Sequence, residues 1–313
     1  MLLTCVSQAF CSWHERTFQV MGTEARVEIW EENPKKAARL IKQVIEEMER
    51  INQLMSPYIS SSELSKLNKS AAKRPIKISK ELFSLLKTSQ EFSGLSHGAF
   101  DITFASVGYQ YDYREGKSPS KDFIDKNKSL INYELIKLNK KKSTVTFLKP
   151  GVKIDLGGIA KGHAVDQAIN MLLQEGVEHA FVQAGGDSRL IGDKKGRLWN
   201  IGIRHPRKEG EVITQVPLEN VAISTSGDYE RFYIKNGERV HHIIDPRTGK
   251  SSSKSISVTI IADSSTKADA LSTTVFVLGF EKGLALIESI PGVSAIVIDN
   301  QGKFHYTKDL NSY

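Results

Sequence analysis

The run KIDLGGIAKGHAVDQAI, Lys153 to Ile169, constrains this chain more than any other segment. Its alternation predicts a strand ending at Asp155, then a Gly157-Gly158 pair, then a helix that carries Lys161 in its first turn. The order places a carboxylate, bare backbone and an ammonium within a few residues of one another. Glycines let a ligand approach the main chain closely, and a helix N-terminus attracts anions. A phosphate-bearing ligand and its metal fit that description. An ordinary strand-to-helix turn with Asp155 near the helix start fits it equally. No Gly-Lys-Ser/Thr ends the run, so it is not a P-loop, and glycines at 157, 158 and 162 do not make a GxGxxG fingerprint.

The rest of the chain intermingles helices and hairpins. Asn33 caps a helix with Pro34 in its first turn, and Ala37, Leu40, Ile41, Val44, Ile45, Met48, Ile51 and Met55 give it an apolar stripe. Ser79 caps a second helix stopped by Gly94. Thr17–Trp30 reads as a strand pair broken near Gly22, and Asn236-Gly237 is a type I′ hairpin signal between Phe232–Lys235 and Arg239–Ile244. Residues 114–130 are charged and read as an exposed excursion. The pattern argues for an α+β fold with mixed or antiparallel sheets and packed helices. We expect a tail or signal remnant over 1–16 and one large domain over 17–313.

At 313 residues, with 40% hydrophobic and 25% charged residues, the chain can bury a large core. Its net charge of +7 suits anionic partners. No basic block carries the interleaved aromatics of a nucleic-acid surface, so nucleic acid is not an expected partner. Cys5 and Cys11 are the only cysteines, so the body of the chain has neither a disulfide framework nor a thiolate metal site. No stretch is long enough for a membrane span. Leu2-Leu3-Thr4-Cys5 faintly resembles the end of a lipoprotein signal.

Three further constellations carry chemistry. In KADALSTT, helical spacing puts Asp269 and Thr273 on one face, where a carboxylate and a hydroxyl suit a hard cation such as Mg²⁺. A solvated helix start satisfies the same spacing. In HHIIDPRTG, a strand delivers His242 to a sharp turn, a place where a histidine can serve as a general base; a structural histidine is the alternative. In STSGDY, hydroxyls and Gly227 admit a flat ligand, or simply a bulge.

Taken in order, VMGTEARV, SELSKLN, GAFDIT, KIDLGGIAKG, QAGGDSRLIG, WNIGIRHP, ISTSGDYERFY, HHIIDPRTG and KADALSTT resemble the ApbE family, the FAD:protein FMN transferases, from about Val20 to Gly279. The resemblance implies a T-fold-related α+β domain. The implied activity is Mg²⁺-dependent transfer of the FMN half of FAD to a Thr or Ser hydroxyl of a flavoprotein subunit, often in a respiratory redox complex, with release of AMP.

By matching motif, the resemblance implies flavin contacts at Met21 and Ile244 and stacking by Tyr58. It implies an adenosine-side strip at Ala99, Phe100 and Asp101, and FAD binding at Asp155 and Lys161. Metal ligation falls to the Gly158 carbonyl, Asp269 and Thr273, and activation of the acceptor hydroxyl to His242. It also implies a bacterial envelope location on the periplasmic side of the inner membrane, with a missing or truncated lipoprotein signal as anchor. The visible N-terminus read alone implies the cytoplasm. FAD hydrolysis to FMN and AMP, and non-catalytic flavin binding, are the alternatives. FASVGYQYDYREG, after GAFDIT, departs from the family, as does Ser272, where some relatives carry a second carboxylate.

Overall fold

The computed structural model describes residues 12–208 and 210–312. Cys5, Cys11 and the signal-like residues lie outside them. Eight strands form the main sheet: β1 (Ser12–Val20), β2 (Thr23–Glu31), β3 (Ala180–Ala184), β4 (Asp187–Ile191), β5 (Ala222–Gly227), β6 (Ser255–Ala262), β7 (Ser294–Asp299) and β8 (Phe304–Tyr306). They lie side by side in chain order, every pair antiparallel. This is the expected α+β class, built as a meander with long insertions. The first strand begins at Ser12, inside the segment expected to be a tail.

Period-2 alternation gives the sheet two apolar faces. Ala180, Val182 and Ala184 of β3 face the principal core, while Phe181 faces a smaller cluster with Leu190, Trp199, Ile223 and Ile261. The smaller cluster is completed by Ile201, Val216 and Leu218 from a separate ribbon, Trp199–Arg204 paired with Val212–Leu218. The principal core is roofed by α1 (Pro34–Met55), α2 (Lys80–Leu95) and α3 (Ala160–Gln174), and a second core by α4 (Ser265–Leu278). Asn33 accepts from the amides of Lys35 and Lys36, and Ser79 from that of Leu82, as their sequence positions predict. The 114–130 excursion is only partly exposed: it contains the helix Lys121–Asn127, whose Ile124 packs with Val107 and Ile131.

Helices α3 and α4 meet at a bare point. A Cβ on Gly162 would stand 2.3 Å from the Ser265 carbonyl oxygen and 2.9 Å from Asp269 Cβ. Backbone cannot yield as a flexible side chain can. Gly162→Ala should therefore destabilise the protein by about 1–3 kcal/mol through overpacking. Chemical denaturation checks this, and an unchanged midpoint would show that the helices can separate freely.

The expected strand ending at Asp155 does not form. Residues 152–156 are extended but join no sheet, because side chains take the place of a neighbouring strand. Asn68 donates to the Ile154 carbonyl and accepts its amide, both at 2.8 Å. Tyr109 also donates to the Ile154 carbonyl at 2.9 Å, and Ser106 accepts from the Lys153 amide at 3.0 Å. The Asp155 amide donates to the Ile102 carbonyl at 2.9 Å. The Lys153 and Asp155 amides and both polar groups of Ile154 thus acquire specific local partners in place of a ladder.

Candidate active site

Four segments converge where α3 begins. The 152–156 stretch delivers Asp155, and α3 delivers Lys161. The Gly185-Gly186 turn between β3 and β4 delivers Asp187, and α4 delivers Asp269 and Thr273. Lys161 Nζ lies 2.6 Å from Asp187 Oδ2 and 3.6 Å from Asp269 Oδ2, and donates to the Gly157 carbonyl at 3.3 Å. Asp269 Oδ2 also accepts the Gly162 amide at 3.1 Å. Both carboxylates are almost fully buried.

Two buried carboxylates share one ammonium, so the cluster carries an excess negative charge. Burial, then the neighbouring Asp187, raises the pKa of Asp269 well above the carboxylate range. The same two carboxylates overcome burial to raise the pKa of Lys161. Hydroxyls surround the pair. Ser224 donates to Asp187 and lies 3.2 Å from Ser272 Oγ; Ser226 Oγ lies 2.8 Å from Ser272 Oγ and 3.4 Å from Thr273 Oγ1. A side chain on Gly158 would meet Thr273 Oγ1 at 3.2 Å and the Phe100 ring at 3.4 Å, so Gly158, Thr273 and Phe100 adjoin. A hard divalent cation fits this donor set: oxygens only, an uncompensated charge, and few protein ligands, as suits an ion completed by substrate phosphates. Among the described residues no group of three or more His, Cys, Asp or Glu forms a self-sufficient metal cage.

The two adjacent histidines have opposite fates. His241 is buried: its Nε2 donates to the Ser252 carbonyl at 2.7 Å, its Nδ1 accepts the Ile243 amide at 3.3 Å, and its ring packs edge-on to Phe276. Both of its nitrogens serve structure. His242 has a buried Nδ1 without a partner, and only its backbone amide is engaged, by the Arg231 carbonyl at 3.1 Å. Burial, then the neighbouring His241, Arg231 and Lys161, push its pKa down to about 3. The imidazole is therefore neutral, with ring nitrogens uncommitted to the protein.

The remaining expected residues are distributed around this centre. Asp155 accepts the Gly157 amide at 2.7 Å, and burial raises its pKa despite Arg231 and Lys161 nearby. Met21 occupies the β1–β2 turn at a left-handed φ of 52°. Tyr58 is 82% exposed. Ile244 is buried and pairs with Ser251. Ala99 packs into the second core. The Asp101 carboxylate is committed internally, accepting from the Thr103 amide and hydroxyl and from the Tyr133 amide at 2.6–2.8 Å.

Sequence reasoning gave no role to Asp187, Tyr109, Tyr113 or Arg231, and offered Ser224 only as one hydroxyl of a stretch that admits a flat ligand. Asp187 stood in view at the end of QAGGDSR, but nothing local tied it to Lys161. The departing segment turns out to supply Tyr109, hydrogen-bonded beside Asp155, and Tyr113, near Tyr233 at 6.3 Å between ring centroids. Two surface grooves elsewhere, one with Gln90, Asn132 and Leu148 and one with Leu173, Gly176 and Asn220, hold none of the clustered groups.

The fold is an antiparallel meander with a carboxylate–lysine–hydroxyl cluster at a helix start and a histidine whose ring has no protein partner. The model of the ApbE family matches residues 21–297. An FAD:protein FMN transferase of Treponema pallidum is 31% identical over 94% of this chain and 87% of its own length. The crystal structure of an ApbE protein from Thermotoga maritima superposes with a TM-score of 0.88 at 34% identity, covering 96% of this chain and 98% of that one. The flavin transferase ApbE of Vibrio cholerae gives 0.85 at 26% identity, covering 97% and 99%. The chain belongs to the ApbE family.

Proposed function

We propose that the chain is an FAD:protein FMN transferase that uses Mg²⁺, releases AMP and flavinylates a Thr or Ser hydroxyl of a flavoprotein subunit of an envelope redox complex. The supporting observation is the neutral, uncommitted His242 beside a buried cluster with unbalanced negative charge. The names of the relatives carry the flavin chemistry; the residues carry the roles.

Asp269, Thr273 and the Gly158 carbonyl would hold Mg²⁺, with Asp187 close behind through Lys161. Bound there, the ion supplies charge neutralisation and orientation of phosphate oxygens. Asp155 and Lys161 position the ligand at the start of α3. His242 takes the proton of the acceptor hydroxyl, a poor nucleophile until relieved of it. The acceptor oxygen bonds to the FMN phosphorus, the bridging P–O bond breaks, and AMP departs with the bridging oxygen. Exposed Tyr58 offers a ring face for stacking.

Incubation with FAD, Mg²⁺ and lysate of the source organism tests the reading. A protein band that gains covalent flavin fluorescence, with one AMP per flavin, is expected. FMN and AMP with no flavinylated band would replace transfer by hydrolysis, and intact FAD would reject both.

A further inference from the structure

We propose that Arg231 is a catalytic residue that binds the phosphate being transferred and is oriented together with the base. The inference rests on the transferase reading above and assigns a role to a residue outside the carboxylate–lysine cluster.

Phosphoryl transfer needs positive charge on the transferred group's own oxygens. Lys161 sits in the right region, but its ammonium is bound by Asp187 at 2.6 Å and faces Asp269 at 3.6 Å. Lys153 is likewise engaged, donating to the Asn68 carbonyl. Arg231 differs from both. Among the described residues its guanidinium forms no ion pair and donates no side-chain hydrogen bond, and it lies exposed.

Its placement is specific. Its charge acts on His242, Lys161, Asp155 and Tyr113, which come from four separate segments of the chain. Nη2 comes within 3.4 Å of where a Cβ on Gly22 would stand, so the guanidinium lies against the Met21-Gly22 turn. The cation thus adjoins that turn and is close enough to the histidine to act on its charge.

The backbone links it to the base. Arg231 directly precedes the Phe232–Lys235 strand, and His242 directly follows the Glu238–His241 strand that pairs with it. At the foot of this hairpin the His242 amide donates to the Arg231 carbonyl at 3.1 Å. A planar fork suited to phosphate and an uncommitted imidazole are therefore held at one closed ribbon end. Three of the five buried, unpartnered side-chain polar atoms among the described residues belong to this same segment: Tyr233 OH, Arg239 Nη1 and His242 Nδ1. A polar ligand seated against the ribbon would account for the concentration.

The test compares Arg231→Gln and Arg231→Lys with the unaltered protein. Because the guanidinium has no protein partner, both variants should melt as the parent does. Calorimetry with ADP and with adenosine, in chelator, reads the phosphate contact without turnover. Arg231→Gln should weaken ADP about tenfold and leave adenosine unchanged, with Arg231→Lys between. In the transfer assay Arg231→Gln should lower kcat about 10²-fold. Loss of its charge should also move the acid limb of the rate profile upward, since Arg231 is one of the groups, with His241 and Lys161, that disfavour a protonated His242. Parent-like ADP binding by Arg231→Gln would overturn the inference, as would an unchanged kcat. If the unaltered protein transfers no FMN, the functional reading falls while the ADP comparison still decides the role of Arg231.

Discussion

His242→Ala should reduce FMN transfer by about 10²–10⁴-fold, the range for a positioned general base, while FAD binding changes little. The loss should appear in kcat, because the imidazole is invoked only when the acceptor proton departs. His241→Ala provides the contrast. That ring ties the Ser252 carbonyl and the Ile243 amide together against Phe276, so its removal should lower stability first. The pH dependence has a definite sign. His242 is held far below its ordinary value, so the folded protein resists protonating it. Stability from this group is present above the ordinary imidazole range and is lost as pH falls from about 6.5 toward 3. Activity should accordingly persist below pH 6. A rate limb at the ordinary imidazole value would contradict the environment described.

Asp269→Asn should have the second large effect, abolishing Mg²⁺-dependent turnover by on the order of 10²–10³-fold, since metal charge stabilisation contributes several kcal/mol. Asparagine retains an oxygen able to accept the Gly162 amide, so the α3–α4 contact survives. Stability should move the opposite way from activity. Because the pKa of Asp269 is raised in the folded protein, the stability linked to it is greatest below the unfolded carboxylate value, near 3.8. That stability is lost as pH rises through the folded value. Removing the charge should then raise the metal-free melting temperature at neutral pH by a few degrees. The parent, by contrast, should be stabilised by Mg²⁺, increasingly so as Asp269 ionises. A variant still stabilised by Mg²⁺ would place the ion elsewhere.

Features written in local spacing were legible in the sequence. The α1 stripe, the Asn33 and Ser79 caps, and the Asn236-Gly237 turn, with φ of 53° and 80°, all follow from residues within a few positions of one another. Asp269 and Thr273 share a helix as their spacing implied. What failed were readings that need a distant partner. Residues 152–156 alternate like a strand, but Asn68 occupies the neighbour's place, which no periodicity reveals. Val212–Leu218 contains Pro217 and pairs only with Trp199–Arg204 outside the main sheet, so its strand signal is weak. Asp187 meets Lys161 only because α3 packs across β4, a contact no local spacing reveals.

The close seam at Gly162 gives the two ends of this centre unequal mechanical character. The carboxylate end is fastened to the joint between α3 and α4, so it cannot adjust without disturbing the interior. The histidine end hangs from a two-stranded ribbon outside the main sheet. Accommodation of differently shaped acceptors therefore falls to the ribbon, and natural variation in client choice should accumulate there while the seam stays fixed.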